Sequence, residues 1–229
     1  DLKINFATIP PNELPFMSLN LYLLRHGETT ASASGGFCGN IDPDLTPEGH
    51  LMAEDFGKAY QAHPFKAAYV SPMLRARHTA APLCKAQGLE MQIRPGLSEV
   101  HFGEWEGKTP DWVKQHYSED YLKWSTDAGW NAPTGGERGV DVARRALDVL
   151  DEIQRQHVSG DVLVVSHKAT IRILICAVLG IDIGGYRDRI GISVAALSII
   201  EFNDHGPRLE RLGDRSSPRI QRPSWHLIS

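Results

Sequence analysis

Arg25 and His26 stand side by side at the end of the apolar run Leu21-Tyr22-Leu23-Leu24, and a second histidine, His167, closes the run Val162-Leu163-Val164-Val165-Ser166. A neutral imidazole is a competent nucleophile toward phosphorus, and an arginine beside it presents a fixed charge on a planar fork of donors. That combination suits a phosphoryl group, whose charge spreads over its equatorial oxygens as it moves between two atoms. A histidine at a strand end is also an ordinary satisfied polar residue, so the reading depends on what surrounds the pair.

Two apolar strands that each end in a histidine, and each turn into a helix, deliver their side chains where an open α/β sheet keeps its active site. The intervening pattern supports such a sheet. A small-residue loop, Ala31-Ser32-Ala33-Ser34-Gly35-Gly36, precedes Asp44-Leu45-Thr46-Pro47-Glu48-Gly49, where Thr46 can cap a helix and Pro47 tolerates its first position. Met52, Phe56, Ala59 and Tyr60 then recur at helical spacing. Lys66 to Val70 reads as a strand, and Ser71-Pro72 as a second capped helix entry with Arg75 near the first turn. A strand over Glu90 to Arg94 and a loop-rich stretch from Pro95 to Gly136 follow. Next come a helix carrying Val142, Ala146, Val149, Leu150 and Ile153, the second histidine strand, and a helix from Thr170 to Leu179. Ser193 to Phe202 with Arg208 to Leu212 form a terminal antiparallel pair. The alternation is α/β.

Composition narrows the partners. The 229 residues are 41% hydrophobic and 23% charged, enough for one domain with a large core and elaborated loops. A net charge of −4 leaves no basic footprint for nucleic acid and no polybasic stretch for a membrane surface. No apolar stretch approaches the roughly 20 residues of a membrane span. Cys38, Cys84 and Cys176 are few, odd in number and widely separated, as free thiols in a reducing compartment would be, and cytoplasm is the expected location. The stretch up to Met17, with three prolines, has neither a basic head nor a long apolar core; it reads as a tail and not a signal peptide, with Met17 an alternative start.

Five motifs then stand in order: Leu24-Arg25-His26-Gly27-Glu28-Thr29, Asp44-Leu45-Thr46-Pro47-Glu48-Gly49, Ser71-Pro72-Met73-Leu74-Arg75-Ala76, Leu97-Ser98-Glu99-Val100-His101-Phe102-Gly103, and Val165-Ser166-His167. In these the chain resembles the histidine phosphatase superfamily, which includes phosphoglycerate mutases and many phosphomonoesterases, from Leu19 to about Leu212. The resemblance implies a three-layer α/β/α sandwich with a mostly parallel central sheet. It implies a single domain over residues 19–213 with a capping insertion at about 100–136, between tails at 1–18 and 214–229. His26 would be the nucleophile and become a phosphohistidine, while Arg25, Arg75 and His167 supply charge and donors to the phosphate oxygens. Glu99, its carboxyl pKa raised by the phosphate, would protonate the leaving alkoxide and then activate water. No metal and no cofactor are called for.

Substrate contacts are read more openly. Cys38 and Gly39 could offer backbone N–H groups to phosphate or simply form a tight turn. His101 is close enough to Glu99 to be a pocket residue; the other histidines lack metal-ligand spacing and read as surface or structural. Where many family members have an asparagine, this chain has Ser32, which can donate but is shorter. Where many have glycine after the second histidine, Lys168 either adds charge to the pocket or projects to solvent. Gly103-Glu104-Trp105-Glu106-Gly107-Lys108-Thr109 imitates a P-loop, but its glycines are one residue too close and its glutamates would oppose a polyphosphate.

A mutase must hold a second anion, yet residues 108–130 offer only Lys108, Lys114 and Lys123 against Asp111, Glu119, Asp120 and Asp127. The aromatics Trp112, Tyr117, Tyr121, Trp124 and Trp130 would either wall the pocket or bury one another in a cap. Pro133-Thr134-Gly135-Gly136-Glu137 resembles an element of phosphatases such as those acting on α-ribazole phosphate. The expectation is therefore a metal-independent phosphomonoester hydrolase for a small phosphorylated metabolite, with a mutase or a non-catalytic phosphate-binding regulator as alternatives. An exposed edge at the terminal strands would serve a homodimer or be covered by the final tail.

Overall fold

The computed structural model describes residues 18–215; the expected tails fall almost entirely outside the described residues, as does Met17. The first half of the chain runs β1 (Leu19–Arg25), α1 (Thr30–Ser34), α2 (Pro47–Tyr60), β2 (Phe65–Val70), α3 (Leu74–Gln87) and β3 (Met91–Ile93). The second runs α4 (Pro110–His116), α5 (Ser118–Thr126), α6 (Gly139–Gln156), β4 (Gly160–Ser166), α7 (Lys168–Leu179), α8 (Tyr186–Arg189), β5 (Leu197–Asn203) and β6 (Gly206–Asp214).

The six strands form one sheet in the order β3-β2-β4-β1-β5-β6. β1 to β4 are mutually parallel, and β5 is antiparallel to both its neighbours. Alternation along the strands sorts the core onto two faces. Leu21, Leu23, Val162 and Val164 join the side covered by α6, α7 and the insertion; Leu24, Leu163, Val165 and Val70 join the side covered by α2 and α3. The result is the expected α/β/α arrangement with a mostly parallel sheet. Along α6 the apolar stripe Val142, Ala146, Val149, Leu150 and Ile153 is buried as its spacing predicts, each larger side chain contributing roughly 1.5–3 kcal/mol by burial.

Four local readings change. The small-residue loop is in fact the short helix α1, because Thr29 and Ser32 form a reciprocal capping box and Gly35 closes it in the left-handed conformation. In α2, Met52 and Phe56 are buried, but Ala59 is exposed, and Ala53 and Gly57 take its place on the sheet-facing side. The Ser71-Pro72 helix entry is displaced: α3 begins at Leu74, and its first N–H is taken by the Asp42 carboxylate at 2.8 Å. Ser71 is spent elsewhere, as the site shows. The stretch read as loop-rich contains α4 and α5, whose Val113 and Trp124 are core residues.

Candidate active site

Parallel pairing of β1 with β4 sets Arg25 opposite Ser166, so the two strand ends release Arg25-His26 and His167 side by side. The His26 N–H donates to the Ser166 carbonyl (3.0 Å), and the rings of His26 and His167 lie 5.2 Å apart. Beyond His26 the chain turns through Gly27 against the start of α2. A Cβ on Gly27 would sit 2.6 Å from the Gly49 carbonyl oxygen, and one on Gly49 would sit 2.1 Å from that of Glu28. Only glycine permits that approach of two backbones. On the other side of the strand end, the Ala195 N–H holds the His26 carbonyl at 3.1 Å.

Hydrogen bonding fixes both imidazole tautomers. His26 Nδ1 is 2.7 Å from the Gly27 carbonyl oxygen, which can only accept, so Nδ1 carries the proton and Nε2 keeps its lone pair. His167 has the opposite arrangement: Nδ1 accepts from Arg75 Nε at 3.2 Å, so Nε2 carries the proton and donates to Ser71 Oγ at 2.7 Å. Burial first, then the neighbouring arginines, holds both rings well below the usual histidine pKa. Both nitrogens of His167 are thus engaged by Arg75 and Ser71, and the ring is held toward its neutral form.

Arg75 is 1% exposed and holds the site together. Besides His167, its guanidinium donates to the carbonyls of Ile41 (2.9 Å), Gly39 (3.0 Å) and Cys38 (3.4 Å) and to the Asp42 carboxylate (3.2 Å). Glu106 braces that loop from the other side. Its carboxylate accepts from the N–H groups of Gly39 (2.9 Å), Asn40 (2.9 Å) and Phe102 (3.1 Å). Glu99 accepts from the N–H groups of Val100 (3.0 Å), Ala169 (3.1 Å) and Thr170 (3.1 Å), the last two at the start of α7. Its backbone is set by Arg145, which donates to the carbonyls of Gly96, Ser98 and Glu99 and is itself paired with Glu137 at 2.9 Å.

A cavity of about 350 Å³ opens over these groups. Arg25, His26, Arg75, Glu99, Cys38 and Lys168 line it, as does Ser32. Ser32 does so without a spare hydroxyl, since its Oγ accepts from the Thr29 N–H and donates to the Thr29 carbonyl inside the α1 cap. His167 is enclosed beneath the lining, 0% exposed. Gly39 and His101 do not line the cavity. The Gly39 N–H belongs to Glu106, and both backbone groups of His101 belong to Glu137.

The cavity's charge is strongly local. Arg25 is 9% exposed; one nitrogen donates to the Ile192 carbonyl, but its buried Nε has no partner. Desolvation, with Arg172 and Arg75 nearby, lowers its pKa to about 10. Lys168 lies in the cavity wall, and burial together with Arg172 and Arg25 brings its ammonium down to about 8. Arg172 and Arg187 also line the cavity, and sequence reasoning passed over both. A signal existed, because Arg172 is the lone charge along the otherwise apolar α7 after Lys168, one turn away on the same face. Ser71, Glu106 and Arg145 were missed for a different reason: each acts through a partner distant in sequence.

Both readings of the insertion aromatics hold in part. Tyr121 and Trp124 line the cavity with Phe37 and Phe102, whereas Trp112 stacks on His116 and Trp130 is 63% exposed. At the surface between α2 and α3, Asp44, His50 and His78 bring ligand atoms within 4.8 Å of one another, a grouping hidden by their linear spacing. Among the described residues no helix is long and apolar enough to cross a membrane.

A parallel sheet that presents a nucleophile-competent histidine, a buried arginine pair and a carboxylate over one small cavity defines a phosphoryl-transfer enzyme. The family model of the histidine phosphatase superfamily (branch 1) matches residues 21–215. Phosphoserine phosphatase 1 of Hydrogenobacter thermophilus is 29% identical over 186 residues, covering 81% of this chain and 88% of that protein. The adenosylcobalamin/alpha-ribazole phosphatase of Salmonella typhimurium is 30% identical over 161 residues, covering 70% and 80%. Among solved structures, Bacillus stearothermophilus YhfR superposes with a TM-score of 0.80 at 30% identity, over 86% of this chain and 97% of that one. The mycobacterial glucosyl-3-phosphoglycerate phosphatase superposes at 0.78 with 25% identity, over 86% and 99%. The chain belongs to the histidine phosphatase superfamily, and it is a phosphoric monoester hydrolase.

Proposed function

We propose that this chain hydrolyses a small phosphorylated metabolite by two displacements at His26, without a metal ion. The observation that carries the reading is the His26 tautomer: Nδ1–H tied to the Gly27 carbonyl leaves an unprotonated Nε2 on a ring that lines the cavity. In the first step Nε2 attacks phosphorus, the bond to the alcohol oxygen breaks, and the departing alkoxide takes a proton from the Glu99 carboxyl group. In the second, Glu99 takes a proton from water as the water oxygen attacks phosphorus, and the P–N bond breaks to regenerate His26. The products are the alcohol and inorganic phosphate.

Arg25 supplies the first donor for the phosphate oxygens, since its buried Nε is unpartnered. Arg75 would turn from loop carbonyls to phosphate, an exchange favoured because charge-assisted hydrogen bonds are roughly twice as strong as neutral ones. His167 and Ser71 act beneath it as positioning residues, holding the Arg75 guanidinium in plane. The insertion over residues 100–136 caps the pocket through Tyr121 and Trp124. None of its three lysines lines the cavity: Lys108 lies over Trp112, Lys114 over Tyr121, and Lys123 pairs with Glu119. The phosphatases among its relatives favour a hydrolase over a mutase.

Three free cysteines fit a cytoplasmic enzyme. The edge strand β6 carries Arg208, Glu210 and Arg211, charges that favour a solvated edge over a homodimer formed there.

Phosphate release from a panel of phosphomonoesters in EDTA, with His26→Ala in parallel, tests the proposal. Release by the wild type alone is expected. Release that EDTA abolishes, or that His26→Ala retains, would contradict the mechanism.

A further inference from the structure

The phosphoryl machinery does not account for three cations on the α7 and α8 side of the cavity. Lys168 and Arg172 are four residues apart on α7, so they share a face one turn apart, and Arg187 reaches the same cavity from α8. Like charges at this spacing repel, and no ion pair holds any of the three among the described residues. The acidic residues lining the same cavity are Glu99, already bound by backbone donors, and Asp188. Arg172 Nε is buried with no hydrogen-bond partner. Arg187 is fixed by stacking, its guanidinium carbon 3.8 Å from the Trp124 ring centroid. A buried donor left unpaired is costly, so a ligand that completes it within the cavity binds the more tightly for doing so. The Arg25 Nε orphan is explained by phosphate; the Arg172 orphan is not.

We infer that Lys168, Arg172 and Arg187 form a second anion subsite, which takes a carboxylate on the alcohol portion of the substrate. The enzyme's preferred substrates are then small phosphorylated hydroxy acids. This rests on the phosphatase reading and narrows it. A carboxylate fits because a guanidinium fork can hold its two oxygens in plane, and because a cavity of about 350 Å³ is small enough for both ends of one short molecule to meet its lining. The same geometry explains why the insertion lacks free cations: the second anion is met from α7 and α8 instead.

The test is kcat/KM on matched esters that differ in the carboxylate: O-phosphoserine against O-phosphoethanolamine, and 3-phosphoglycerate against glycerol 3-phosphate. p-Nitrophenyl phosphate reports the phosphoryl chemistry by itself. Wild type should prefer the acid by about tenfold or more in at least one pair, the worth of one charge-assisted contact. In Arg172→Met that preference should collapse below about threefold, with Arg172→Lys recovering part of it and Lys168→Met as an independent second variant. If wild type cleaves p-nitrophenyl phosphate but discriminates neither pair, or if the preference survives in both methionine variants, the subsite is wrong and the phosphatase reading stands. If no ester at all is cleaved, both fall together.

Discussion

The floor of the cavity and its wall on α7 and α8 are built on opposite principles. On the floor, His26 Nδ1, both nitrogens of His167, the Arg75 guanidinium and the Glu99 carboxylate all have protein partners before any substrate arrives. On the wall, Arg172 Nε has none, and Lys168 and Arg172 crowd like charges together. Arg25 spans the two, with one nitrogen satisfied and another not. Preorganised groups spend little reorganisation energy at the moment of reaction, whereas unsatisfied ones gain most from a ligand. On the proposed mechanism and subsite, the difference separates the part of the site that does chemistry from the part that chooses what it is done to.

Substitutions on the floor should therefore cost turnover, and the largest effect belongs to the nucleophile. His26→Ala should lower kcat by roughly 10⁴-fold on every ester, with folding checked by circular dichroism. Arg75→Met should follow at about 10²–10³-fold, because it removes transition-state charge and also releases the loop from Cys38 to Asp42. Glu106→Gln sharpens the point from a residue that only braces. It places an amide donor among N–H groups, and should lower kcat about tenfold with KM little changed and destabilise the fold by about 1–3 kcal/mol, read by denaturant unfolding.

A further effect, on stability and not on turnover, concerns pH. His26 and His167 are held well below the usual histidine value, so the unfolded chain binds more protons than the folded one once pH drops below about 6.5. Stability is then fully present above that pH and falls as pH is lowered toward the folded values, by up to about 1.4 kcal/mol per pH unit for each ring. Thermal unfolding between pH 7 and 5 should show this slope, made shallower by His26→Ala.

The floor was largely legible in the sequence, and the wall was not. Arg25, His26 and His167 announce themselves because the apolar strand that delivers each is contiguous with it, and Glu99 and Arg75 because their motifs are local. Ser71 looked like a helix cap since serine before proline often is one; its hydroxyl instead satisfies the buried His167 N–H, whose loss would cost more than an uncapped helix start. Ser32 and Gly39 read from the sequence either as phosphate donors or as local structure, and both take part in local or tertiary hydrogen bonds that composition does not reveal. Glu106 was read as an obstacle to a phosphate loop and proved to be that region's brace. The fold itself followed from strand and helix periodicity, while α1 escaped because its capping box lies in a stretch too short for periodicity to register.

In the proposed mechanism phosphate passes through Nε2 of His26. Rapid quenching of the wild type with a ³²P-labelled phosphomonoester tests that passage. The expected result is a transient label, stable to base and labile to acid, that maps to the peptide containing His26 and gives the ³¹P signature of an Nε2-phosphohistidine. A label on another residue would contradict the account, as would turnover with no label detected during the burst.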